Sequence, residues 1–369
     1  MGKAQELINS AIVHIKTNKR TQIIILITIV GLSIIGMAVA IINLNKPKTT
    51  PPIVNTNTAI VTVTEPVARQ IDGIPVPANE SNILPVAVMI ENLASIRPQA
   101  GLTEANLIYE ALAEGGITRF MAIYASKTAV DKIGPIRSAR AYFVDLAEEY
   151  KGIYVHVGGS PQALGVLNSS NYVTDLNQFS YSNYFYRDTA LNVAMEHTLF
   201  SNTELLALAL RDLELNNKTG AYQPYKFKTN LKKESRPTTT KPLVIYYSNK
   251  NYLVDWRYDR DSNSYLRWNG ESEHRDVNNN EQIKAKNIVI QYIDTTVIDQ
   301  QSGRLEMNTI GTGEAILVQD GISKAGTWKK EQRGDRTLFY DDTGAEFTFN
   351  PGQTWIELVP TADKSKVSY

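Results

Sequence analysis

Residues 138–150 read SARAYFVDLAEEY, and residues 153–157 follow at once as IYVHV. In the first segment Ala139, Tyr142, Phe143, Leu146, Ala147 and Tyr150 recur at helical spacing, while Asp145, Glu148 and Glu149 fall off that face. This spacing predicts a helix with one apolar side. The second segment is the short apolar run of a buried strand. Ser160-Pro161 then opens another helix through Leu167, because serine caps a helix and proline fits its first position. Upstream, 85–90 and 118–124 read as strands; 107–112, with Glu110 inside it, reads as strand or helix. Downstream, Ser201 and Glu204 form a capping box ahead of a helix over 205–213. Strands alternate with helices, so residues 69–225 are expected to form an α/β or α+β domain.

The texture changes after a basic, polar connection at 226–242. Strands are predicted at 243–247, 254–258, 265–268, 288–293, 315–318, 336–340, 346–349 and 354–359. Asn269-Gly270, Asp320-Gly321 and Thr343-Gly344 punctuate them as turns. All four tryptophans lie here. A mainly-β second domain is expected over 243–361, with 362–369 as a tail.

The N-terminal side differs from both. Residues 23–44 are almost wholly apolar and uncharged. About 22 residues at 1.5 Å each reach roughly 33 Å, enough for a hydrocarbon core. Lys16, Lys19 and Arg20 precede the run, which favours an N-terminus in the cytoplasm. The expectation is a cytoplasmic leader (1–22), one transmembrane helix (23–44), a flexible Asn/Pro/Thr-rich linker (45–68) and an exported module. The competing reading is a cleaved signal peptide, with Ala38-Val39-Ala40 as the small-x-small site.

Thirty-eight basic and thirty-eight acidic residues cancel. No basic excess points to nucleic acid, which is not expected as a partner. The absence of cysteine excludes disulfides, thiolate catalysis and a lipid-modified cysteine. His14, His156, His197 and His274 show no metal-type pairing, so no metal site is expected. No cofactor is expected either, with room left for a divalent cation.

Gly134-Pro135-Ile136-Arg137-Ser138-Ala139-Arg140 joins a strand region to a predicted helix start. Free N–H groups there favour an anion, and Arg137 and Arg140, three apart on one helical side, could fork onto phosphate oxygens. Equally, they could pair with Glu110, Glu114 or Asp145 and hold the fold. Glu110, Glu114 and Arg119 surround Gly115-Gly116, either as acid–base or metal-ligating groups or as an ion-pair network. His156 ends a strand before Gly158-Gly159, where α/β sheets bind ligands; the alternative is a satisfied, partly buried histidine. Arg187 and His197 add polar groups after the aromatic run at 179–186, a candidate groove wall or core.

These segments resemble the YerB-like family of bacterial envelope proteins, lipoproteins of unknown function. The likeness lies in Arg97-Pro98-Gln99-Ala100-Gly101-Leu102, in 114–120 (EGGITRF), in 134–140, and in 156–163 (HVGGSPQA), which includes Gln162. It continues in 326–330 (GTWKK) and 350–356 (NPGQTWI). The resemblance runs from about Gly73 to Pro360 and implies two consecutive family domains. Taken with the residue reading above, this gives Arg97, Glu110, Glu114, Arg119, Arg137, Ser138, Arg140, His156, Gln162, Arg187 and His197 as ligand-binding candidates. Two departures stand out. A membrane helix replaces the family's acylated cysteine, and Glu196-His197-Thr198 stands where the family tends to show Pro-His-Asn. Pro135-x-Arg137 and Gly158-Gly159 are also loosely similar to the LytR-CpsA-Psr phosphotransferases, which act on polyprenyl-linked glycans. The resemblances imply an anchored envelope protein that binds a phosphorylated glycan or polyprenyl carrier, catalysis being left open. The other expectation is a scaffold that docks envelope proteins.

Overall fold

The computed structural model describes residues 2–44 and 65–369, so most of the expected linker lies outside the described residues. The chain divides into two units, 1–63 and 64–369.

In the first unit, α1 (Gly2–Thr17) precedes α2 (Lys19–Leu44), an unbroken helix of 26 residues. Among the described residues no helix is long and apolar enough to cross a membrane. The expected transmembrane helix is thus not borne out there. The backbone is helical through Leu44, and the side chains at 34–36 and 38–44 are among those outside the described residues.

Besides several two-residue strands, the first half of the second unit supplies β1 (Val86–Glu91), β2 (Leu107–Leu112), β3 (Thr118–Tyr124), β4 (Ile153–His156) and β5 (Thr174–Asn177). Its helices are α3 (Ala141–Glu148), α4 (Pro161–Ser169) and α5 (Thr203–Asp212). The second half adds β6 (Leu243–Tyr246), β7 (Leu253–Asp259), β8 (Ser264–Asn269) and β9 (Asn287–Ile293). Then come β10 (Thr295–Asp299), β11 (Arg304–Met307), β12 (Gly311–Gln319) and β13 (Ile322–Lys330). Last are β14 (Leu338–Asp341), β15 (Thr354–Pro360) and β16 (Val367–Ser368). The open reading at 107–112 resolves as a strand with all six residues buried. The second half is mainly β, as expected.

The two halves do not fold apart. One ten-stranded sheet runs β14-β13-β12-β9-β15-β2-β3-β1-β4-β5. The seam is the parallel pair β15–β2, with Ile356 opposite Tyr109 and Glu357 opposite Glu110. Alternate residues serve the two faces. On one face, the Tyr109 hydroxyl meets that of Tyr150, just past α3, at 2.8 Å. On the other, Glu357 accepts from Trp256 Nε1 of β7 at 2.9 Å. There β16, β6, β7, β8 and two short strands form a second, antiparallel sheet. The result is a helix–sheet–sheet stack.

Local signals held in part. Ser160 caps α4 by accepting from Ala163 N at 3.2 Å, with Pro161 at the first position. At α5 the cap is Asn202, which accepts from Leu205 N at 2.8 Å. Ser201 instead gives its hydroxyl to Tyr184 O at 2.8 Å, a competitor that sequence spacing does not show. The helix expected from residue 138 begins at Ala141, because 137–139 are extended and hydrogen-bonded to β1 and to the loop after β4. Arg137 and Arg140 therefore do not share a helical side.

Candidate functional site

β1, β2, β4 and β5 run parallel, and β3 runs against them. Their carboxyl ends, with the start of β3, form one edge of the sheet, where α/β folds commonly bind ligands. The strap 134–140 crosses this edge. Ile136 N donates to Leu199 O at 2.7 Å, Arg137 N to Met89 O at 3.0 Å, and Ala139 N to Gly158 O at 3.0 Å. Gly158 needs its positive φ of 56° and would press any Cβ to 2.9 Å from the Phe179 ring. These bonds aim the arginines from extended backbone.

Three guanidinium groups meet there. Arg140 forks onto Glu114, with Nη2–Oε2 at 2.6 Å and its Nε on the other carboxylate oxygen. Its Nη1 donates to Ala139 O at 2.7 Å. Arg119, buried at the start of β3, donates to Ser138 O at 2.7 Å and stands 3.9 Å from Glu114. Burial first, then the neighbouring Arg140 charge with a contribution from Arg137, pushes Arg119 down to about 10. Burial would raise Glu114, but the Arg140 hydrogen bond and charge hold it below the usual value. Arg137 donates to Glu196 O at 2.9 Å and faces Glu91 at 3.4 Å. Its Nε is buried without a hydrogen-bond acceptor. His197 Nδ1 lies 2.7 Å from the same Glu91, so one carboxylate faces both Arg137 and His197. Arg187 holds the loop before His197 by donating to Met195 O at 2.6 Å. Gln162, in the first turn of α4, accepts from Arg304 at 3.4 Å.

The edge thus gathers Glu114, Arg119, Arg137, Ser138, Arg140, Gln162 and His197, with Arg187 bracing it. His156 is at the edge but is not open to a ligand. It is fully buried, with Nδ1 at 2.7 Å from Gly158 O and Nε2 at 2.7 Å from Asp175. Both ring nitrogens are thus engaged within the fold. Of the aromatic run, Phe179 is 75% exposed, whereas Phe185 is buried and Tyr181 and Tyr184 pack on the core. Of the five aromatics in the run, only Phe185 is core, and Tyr181, Tyr184 and Tyr186 are half-buried.

Glu110 and Arg97 lie elsewhere, between the halves. Glu110 is wholly buried and ion-paired with Arg267 of β8. Arg97 reaches from the first half to Asn251 O of the second at 2.7 Å, and also holds Asn92 Oδ1 at 2.9 Å. Both are fastening residues and are withdrawn from the ligand set. The residues that complete this network, Arg267, His274 and Glu357, carry no motif. Only a charged residue in an otherwise apolar strand, such as Glu357 in 354–359, hinted at them. Among the described residues no cluster could hold a metal ion.

A helix–sheet–sheet stack built from two sequence halves, with an arginine edge on the first, defines a two-part domain family. Residues 72–216 match the N-terminal domain, and residues 243–356 the C-terminal domain, of a protein family of unknown function, DUF3048. The chain belongs to this family. It is 32% identical over 286 residues to the "Putative lipoprotein YerB" of Bacillus subtilis (strain 168), covering 77% of this chain and 83% of that one. It is also similar to the crystal structure of YerB from Bacillus subtilis, with TM-score 0.70 and 30% identity over 81% of this chain and 98% of that one.

Proposed function

We propose that this protein is tethered to the bacterial membrane, lies outside the cytoplasm, and binds a phosphorylated glycan or polyprenyl-phosphate carrier at the arginine edge. The observation that carries the ligand class is the crowding of Arg119, Arg137 and Arg140. The guanidinium of Arg119 is depressed to about 10 by burial and by its cationic neighbour, so an added anion is favoured. The tether is supported by the apolar, uncharged sequence of residues 23–44, by the basic residues before it, and by the relative that bears the name lipoprotein.

Titration of the full chain in detergent with inorganic pyrophosphate and with a polyprenyl pyrophosphate tests the site. Arg137→Ala and Arg140→Ala are each expected to weaken binding by about 1.5–3 kcal/mol, the range for hydrogen bonds to charged groups. Arg137→Lys should lose much of the same, because lysine cannot form a planar fork. Glu114→Gln should strengthen binding, because it frees the Arg140 fork. Absence of binding by the unaltered protein refutes the site.

A second reading, a scaffold that docks other envelope proteins, is favoured by a different observation. Each of the three arginines already has an acceptor within the molecule. It predicts lower melting temperatures for the same variants and no phosphate binding by any of them.

For the tether, protease added outside permeable cells should digest residues 65–369 and leave an N-terminal stub. Full protection of that module, or a mature chain that begins at Ile41 and floats free of membrane, overturns the topology.

A further inference from the structure

The hairpin β10–β11 belongs to the second half but to neither large sheet. It pairs only with itself, with a register shift between Val297 and Asp299. Met307 is buried and Leu305 packs against the core, so β11 seats the hairpin, but Val297 and Ile298 of β10 are 48% and 43% exposed. The hairpin lies against the arginine edge of the first half. Arg304 Nη1 donates to Gln162 Oε1 at 3.4 Å. A Cβ placed on Gly303 would stand 3.6 Å from the backbone nitrogen of Gly115, in the turn that carries Glu114. Just past the hairpin, Thr309 donates to Asp145 of α3 at 3.1 Å.

Between hairpin and edge is a cavity of about 80 Å³. That is room for a few waters or one phosphoryl-sized group, and too little for a sugar ring. Arg140, Ser160 and Gln162 line it from the first half, and Ile298, Arg304 and Leu305 from the second. Asp145 and Glu306 also border it, so the lining has two cations and two carboxylates. Arg304 is oriented by its own turn: Nε donates to Ser302 Oγ at 2.8 Å and Nη2 to Asp299 at 2.5 Å. A guanidinium held in this way loses little side-chain freedom when it meets a ligand.

We propose that the β10–β11 hairpin closes the arginine edge and that Arg304 is a further anion-binding residue, which grips a terminal phosphoryl group opposite Arg140. The remainder of the ligand then stays outside the cavity. The inference rests on the anion-site reading above and adds that neither half binds fully alone.

The test is calorimetric titration of the full chain in detergent with inorganic pyrophosphate. Arg304→Ala and Arg304→Gln are expected to weaken binding tenfold or more, with melting temperatures within a degree or two of the unaltered protein. Arg257→Ala, which removes an exposed arginine of the second sheet that pairs with Asp255, is expected to leave affinity unchanged. If the unaltered protein binds no pyrophosphate, the anion-site reading falls and this inference with it. If it binds, Arg140→Ala loses binding and both Arg304 variants keep it, the hairpin inference alone is overturned. Should the Arg304 variants melt far lower, Gln162→Ala reads the same contact from the other side, and unchanged affinity in that variant also overturns the hairpin's role.

Discussion

Arg267→Ala is expected to destabilise the second unit by about 3–5 kcal/mol, the range for removing one partner of a buried ion pair. Arg267 and Glu110 are both fully buried and ion-paired, one on each side of the seam between the halves. The guanidinium also lies over the Trp355 ring at 4.6 Å and donates Nη1 to His274 Nδ1 at 2.7 Å. His274 Nε2–H in turn donates to Gln99 Oε1 at 2.8 Å. Burial, then Arg267 and Arg97, holds this histidine well below its usual pKa, which suits a neutral ring that accepts on one nitrogen and donates on the other. Without Arg267, the Glu110 carboxylate is left uncompensated beside Glu357. Denaturant unfolding measures the loss. Since the network spans both halves, they should unfold in one transition. A loss under about 1 kcal/mol, or two separate transitions, would sink this account. Arg267→Met combined with Glu110→Leu should recover most of the loss, because the desolvation penalty goes with the charges.

Glu357→Gln is expected to change how stability depends on pH. Glu357 and Glu110 are neighbours across the seam, on one face and both fully buried. Burial first, then the Glu110 charge, pushes Glu357 up to about 8 from its usual 4.5. Tyr247 and Trp256 each donate to it at 2.9 Å, which leaves its proton for Glu110. An acid whose folded pKa is raised keeps a proton that the unfolded chain has already shed. Between about pH 4.5 and 8 the folded state therefore binds more protons, and stability falls as pH rises through that window. Above pH 8 this contribution is flat. Glutamine keeps an acceptor for Trp256 and a donor for Glu110 but does not titrate. The gap in unfolding free energy between variant and parent should thus widen in the variant's favour by about 2–5 kcal/mol from pH 5 to 8.5. Urea unfolding at several pH values checks it, and parallel curves for the two proteins would refute it.

Short-range features were open to reading in the sequence. The Ser160-Pro161 start of α4, the strand 118–124 and the apolar face of α3 each depend on residues within a few positions of one another. Their chemistry is set by backbone sterics and by which groups can reach a neighbouring N–H. The sequence also marked the region of the arginine edge, because Arg119, Arg137 and Arg140 flank glycines at strand ends. Which side chains meet there was not legible. Glu148 and Glu149, expected on the solvent face of α3, are fully buried, because the second half covers that helix. Arg333 answers Glu148 from 185 residues away, and Lys330 answers Glu149 from 181. Arg267 is 157 residues from Glu110, and the seam joins strands about 250 residues apart. Periodicity carries no information about such partners. Whether a charged residue faces water or a counter-charge is decided only once distant strands pair and exclude solvent. That pairing made Glu110 and Arg97 fasteners, left His156 sealed between two acceptors, and laid the Arg304 hairpin against the edge.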